Sequence, residues 1–174
     1  RPSRTADVAA VRSVVTDWPP EVTATEYEAA PGKAFQAKPC QPVEAEATTR
    51  PRWIHHGSSI SQGSNATAPS ETWPAIVARQ ADLDLVNLGF GGSSFVDPFM
   101  ARLIRDTEAD IISLKFGINI VNLDGMRRRV FVPALHGFLD TIRDGHPDTP
   151  ILLMSPLYCG IHEDTPGPGN FDPS

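Results

Sequence analysis

From Arg52 to Met154 the chain alternates short apolar runs with stretches of helical periodicity, and no other feature restricts its fold as strongly. The runs are RWIHH (52–56), LDLVNLG (83–89), ADIISLKFG (109–117) and ILLM (151–154). Each is short, bounded by Gly, Pro or polar residues, and most are rich in Ile, Leu and Val, as buried strands are. Between them, Ser70 is placed to cap a helix running to Gln80, with Trp73, Ile76 and Val77 on one face. Asp97-Pro98 predicts a second helix start, proline standing at the first helical position, with Met100, Leu103 and Ile104 as its buried stripe. Pro133 predicts the opening of a third, whose stripe is Leu135, Phe138, Leu139 and Ile142. Strands and helices in strict alternation predict an α/β fold, a three-layer α/β/α sandwich around a parallel sheet.

Residues 1–50 read differently. They are rich in Ala, Pro, Thr and Glu, and Pro19-Pro20, Pro31-Gly32, Pro39 and Pro42 interrupt every candidate element. Val8, Val11 and Val15 allow one short helical turn over 7–15. The expected organisation is therefore a Pro/Ala-rich lead-in over 1–50, compatible with the tail of another domain, and an α/β core over 51–174. The net charge of −6, with no basic cluster beyond Arg127-Arg128-Arg129, argues against a nucleic-acid partner. No apolar run approaches the ~20 residues of a membrane span. The chain opens at Arg1 without an apolar signal core, and its compartment stays undecided. Cys40 and Cys159 stand in no metal-type spacing, and pairing or free thiols both remain open.

In parallel α/β sheets the chemistry lies outside the carboxyl ends of the strands. That rule selects three loops: GSSISQGS (57–64), GFGGSS (89–94) and GINIVN (117–122). The first offers Ser58, Ser59 and Ser61 on a tight turn. The second is glycine-rich, so its amides can approach a ligand without Cβ obstruction. The third presents Asn119, a neutral side-chain donor. Each has a plain reading alone, as a polar turn or a cap. A hydroxyl nucleophile, an amide donor and an asparagine donor at adjacent strand ends together form an acyl-transfer constellation. A dinucleotide turn fits less well, because Ser94 stands where the third glycine of that fingerprint falls and there is no Walker lysine.

These blocks resemble the SGNH (GDSL-type) hydrolase family of esterases and lipases. Its first block, Gly-Asp-Ser-Leu or a variant, is matched by Gly57-Ser58-Ser59-Ile60, with Ser58 in place of the usual Asp. Its second, an Asn with a Gly five residues on, is matched by Asn87 and Gly92, and its third by Gly117-Ile118-Asn119. The resemblance covers about 53–156 and implies a flavodoxin-like sheet, here incomplete at the C-terminus. It implies Ser59 as nucleophile and an oxyanion hole made by the amides of Ser59 and Gly92 and the side chain of Asn119. It implies serine-dependent hydrolysis of a carboxylic ester through an acyl-enzyme, on a small ester such as an acylated carbohydrate. Neither a metal nor an organic cofactor is needed.

The family's last block, Asp-x-x-His, has no counterpart, since no histidine here follows an Asp by three positions. His55 and His56 alternate on the first strand and read as structural. His136 flanks a helix stripe, and His146 sits in a helix-terminating turn. His162, in the loop after the fourth strand, is at most a substrate-loop residue. The chain is thus expected to end before the block that carries the base and to be inactive, or nearly so, as it stands. The alternative reading is a non-catalytic acyl- or carbohydrate-binding module that has lost the His/Asp base.

Overall fold

The computed structural model describes residues 48–159. The helical turn expected over 7–15, Cys40 and His162 lie outside them, as does nearly all of the lead-in. Four strands, β1 (Arg52–Gly57), β2 (Asp84–Gly89), β3 (Ile111–Lys115) and β4 (Ile151–Met154), form one sheet in the order β2-β1-β3-β4. Every pairing is parallel. The helices are α1 (Ser59–Gln62), α2 (Trp73–Gln80), α3 (Pro98–Asp106), α4 (Ile118–Asn122) and α5 (Arg128–Gly145).

Side chains alternate across a strand, so β1 and β3 each feed two cores. On one face Ile54, Ile112, Leu114 and Phe116 pack against Met100, Ala101 and Ile104 of α3 and Phe138 and Ile142 of α5. On the other, Trp53 and Ile111 pack against Val77 and Ala78 of α2 and the buried Leu83. Each fully buried Ile or Leu contributes about 1.5–3 kcal/mol, which explains why a strand as short as the five-residue β3 holds. The ILLM run, expected as a buried strand, forms β4 at the sheet edge with its residues only partly buried or exposed. Helices on both faces make the three layers that the alternation predicts. No described helix is long and apolar enough to cross a membrane.

Three local expectations shift. Ser70 lies in a 3₁₀ turn (Pro69–Glu71), and α2 begins at Trp73 with Thr72 as its cap, whose Oγ1 accepts the Ala75 N–H at 3.4 Å. Pro74 explains this, because a ring that lacks an N–H fits only the first turn of a helix. Pro133 lies inside α5, which starts at Arg128. The added turn brings Phe131 onto the main core, and that burial offsets the missing backbone bond. In α3 Ala101 replaces Leu103 on the buried stripe, and Leu103 stays 46% exposed on the flank.

Candidate active site

The strand order places the site. The chain leaves β1 toward β2 on one side and returns to β3 on the other, so a crevice opens between the carboxyl ends of β1 and β3. Ser59 follows β1 and Asn119 follows β3, while the glycine loop after β2 stands beside them.

Ser58, in extended conformation, caps α1, and its carbonyl accepts the N–H groups of Ser61 and Gln62 at 3.0 and 3.1 Å. Ser59 is therefore the first helical residue, half-buried, with an N–H that has no acceptor among the described residues. Ser58 is buried, and its hydroxyl has no hydrogen-bond partner among the described residues. Ser61 is fully buried in a polar chain described below. Of the three hydroxyls, only that of Ser59 belongs to a residue that is neither buried nor engaged by another side chain.

The glycine loop is held at almost every amide. Gly89 donates to Asn87 Oδ1 (2.9 Å), Phe90 to the Gly57 carbonyl (2.7 Å) and Gly91 to Gln62 Oε1 (2.7 Å). Ser93 donates to the Phe90 carbonyl (3.4 Å) and Ser94 to Asn119 Oδ1 (3.2 Å). From Gly89 to Ser94, Gly92 alone has an N–H with no acceptor among the described residues. Its φ of +70° favours glycine, and no atom lies within 4 Å of where a Cβ would stand. The loop spans the crevice: a Cβ on Gly91 would stand 3.8 Å from Ser59 Cα, and Ser94 bonds Asn119. Because the Ser94 N–H requires an acceptor, the Asn119 oxygen faces it and the NH₂ is the arm left to donate elsewhere. Asn87 has a second role that its spacing does not reveal, since its Nδ2 donates to the Ser61 carbonyl (2.7 Å) and ties β2 to α1.

The two strand histidines occupy opposite faces, as their alternation predicts, and both are structural. His55 is fully buried, with Nδ1 at 2.7 Å from Ser113 Oγ and Nε2 at 2.8 Å from Ser61 Oγ. Trp53 Nε1 donates to Ser113 Oγ (2.8 Å) and Trp73 Nε1 to Ser61 Oγ (3.3 Å), which closes a buried polar chain behind α1. Burial, with the charges of His56 and Lys115, holds the His55 pKa at about 3, so the ring is neutral. His56 donates from Nδ1 to the Leu88 carbonyl (2.7 Å) and packs against Phe116 and Phe138. Burial lowers its pKa too, and with Nδ1 donating, Nε2 accepts a hydrogen bond from the Ser94 hydroxyl at 3.4 Å. His146 caps α5 and is bonded through Nε2 to the Ile104 carbonyl (2.9 Å), while His136 is exposed. No described histidine bonds Ser59. Among the described residues no three of His, Cys, Asp and Glu are grouped to hold a metal.

Beside α1 a cleft of about 600 Å³ is lined by Ile60, Trp73, Val77, Lys115, Leu153 and Leu157 among others. Phe90 packs edge-on against Phe99, and Arg127 pairs with Asp124 at 2.8 Å on the exposed surface. Gln62 and the His56–Ser94 pair are the site elements that sequence reasoning misses. Their partners are remote in the chain, and no spacing signals them.

Residues 51–159 match the model of the GDSL-like lipase/acylhydrolase family. No curated protein matches the chain. Among solved structures it resembles the salicylyl-acyltransferase SsfX3 from a tetracycline biosynthetic pathway, with 42% identity and a TM-score of 0.65 over 71% of this chain. It also resembles a family two carbohydrate esterase from Clostridium thermocellum, in complex with cellohexaose, with 17% identity and a TM-score of 0.55 over 70% of this chain. The second likeness concerns the fold alone. The chain spans 35% of the length of the first and 48% of the second. With its strand-end blocks, its parallel sheet and this match over most of the described residues, the chain belongs to the GDSL-like lipase/acylhydrolase family.

Proposed function

We propose that this chain carries the nucleophile and oxyanion hole of a serine esterase that acts on small carboxylic esters, including acylated carbohydrates. The observation that carries the reading is the pattern of amides: in a loop that is otherwise fully engaged, the Gly92 N–H is unengaged. The N–H of Ser59 and the Asn119 NH₂ are unengaged as well. Ser59 Oγ attacks the ester carbonyl as a base takes its proton. The carbonyl oxygen becomes an oxyanion that accepts from Ser59 N–H, Gly92 N–H and Asn119 Nδ2. Collapse expels the alcohol, which takes the proton from the base, and water then releases the acid from the acyl-enzyme. The ring nitrogens of the buried histidines are occupied and no described histidine bonds Ser59, which supports a base supplied from outside residues 48–159. The non-catalytic module is the weaker reading, because a mere binding cleft does not require three unengaged donors beside a serine.

The 42% identity to an acyltransferase favours one variant, in which the acyl group passes to an acceptor hydroxyl in place of water. Product ratios with and without added alcohol separate the two fates. The primary test is a fluorophosphonate probe on the full-length native polypeptide, followed by peptide mapping. The label is expected on Ser59, and a label on another residue, or none, sinks the assignment.

Asn119→Ala is expected to lower kcat by about 10²- to 10³-fold with KM nearly unchanged, because it removes a donor needed most in the transition state. Asn119→Asp should be worse, since a carboxylate still accepts from Ser94 but repels the oxyanion. Steady-state hydrolysis of p-nitrophenyl acetate measures both.

A further inference from the structure

We infer that Gln62 is a positioning residue for the Gly92 amide, an inference that rests on the acyl-transfer reading. Gln62 Oε1 accepts the Gly91 N–H at 2.7 Å, across 29 residues of chain. Ser59 and Gln62 are the first and last residues of α1, so the nucleophile and the latch share one turn. The direction of the Gly92 N–H is governed by ψ of Gly91 and φ of Gly92. Both belong to glycines, the residues with the softest backbone dihedrals. Space around Gly92 is open, so no neighbour restrains it directly. The loop's own turn bond, Ser93 N–H to the Phe90 carbonyl, is long at 3.4 Å, and the Gln62 bond is the tighter restraint next to Gly92. The latch thus transmits the position of the nucleophile turn to the amide that must meet the same carbonyl.

A surface glutamine without this role would change little when removed. In the full-length native polypeptide, Gln62→Ala is expected to lower kcat by about 10- to 100-fold and leave KM within about twofold, the signature of a misaimed donor. Its melting temperature should hold, because Gln62 is exposed. The Gly91 amide should exchange with solvent about tenfold faster than in wild type. Gly91→Ala supplies an independent break. Its backbone suits alanine, its methyl would meet Ser59 Cα at an ordinary 3.8 Å, but that methyl collides with Gln62 Oε1. The single variants should lose similar rates, and the double variant should be no worse than Gln62→Ala alone. A wild-type kcat in Gln62→Ala, or additive losses in the double variant, overturns the inference and leaves the esterase reading intact. Slow Gly91 exchange in a wild type without Ser59-dependent hydrolysis overturns the esterase reading, and with it the catalytic role of the latch.

Discussion

Ser59→Ala is expected to lower kcat for p-nitrophenyl acetate by about 10⁴- to 10⁶-fold, with little change in KM, the scale seen when a serine nucleophile is removed. The residual rate would come from the oxyanion donors and from binding, which the substitution leaves in place. Its neighbours sort the three serines by mechanism. The Ser58 hydroxyl is buried without a described partner, so Ser58→Ala removes no hydrogen bond and should leave rate and stability near wild type or slightly higher. Ser61 accepts from Trp73 and bonds His55, so Ser61→Ala should lower stability by about 1–3 kcal/mol. Any rate loss there would follow from loosening of α1. Kinetics and chemical denaturation on the three single variants test the whole pattern. A Ser58→Ala enzyme as inactive as Ser59→Ala would move the nucleophile by one position.

His55→Ala should lower unfolding free energy by about 3–5 kcal/mol at neutral pH, because it leaves a void between two tryptophans and breaks two buried hydrogen bonds. The same residue shapes the acid limb of stability. In the unfolded chain His55 titrates near 6.5, whereas in the fold burial holds its pKa at about 3. Between these values the unfolded state binds the extra proton, so stability rises with pH there. The contribution is present in full above 6.5 and is lost as pH falls toward 3, at about 1.4 kcal/mol per pH unit. His56, also lowered by burial, acts in the same direction. Urea denaturation from pH 7 to 4 should therefore show a shallower acid slope in His55→Ala than in wild type. An identical slope would mean that the ring is protonated in the fold.

The catalytic reading and the stability reading meet at α1. Ser59 belongs to the same turn whose Ser61 is anchored into the His55 chain and whose Gln62 reaches the glycine loop. Asn87 adds a third tie, from β2 to the Ser61 carbonyl. A four-residue helix is too short to be stable by itself. Its geometry is imposed by these bonds to other elements, and each is a place where a distant substitution would reach Ser59, the proposed nucleophile.

Much of this was legible in the residues. Runs such as ILLM and ADIISLKFG predict strands because apolar β-branched and aliphatic clusters are a local property, and their alternation with helical stripes selects a parallel sheet. His55 and His56 read correctly as opposite-facing strand residues from alternation alone. The helix starts were less legible. Pro133 is a strong local signal for a first turn, yet the contact of Phe131 with the core carries α5 further upstream. Thr72, rather than Ser70, caps α2 because of where Pro74 falls.

The sequence by itself determined the sheet class and the three strand-end loops, since periodicity and turn residues act within a few positions of chain, and its resemblance to the SGNH family supplied the candidates Ser59, Gly92 and Asn119. Only the tertiary structure decided which amides of the glycine loop are engaged, that both strand histidines are neutral and occupied, and that Gln62 reaches Gly91. The decisive bonds among them, His55 to Ser113, Gly91 to Gln62 and Ser94 to Asn119, join partners 25 to 58 residues apart, brought within bonding distance by the order of the strands.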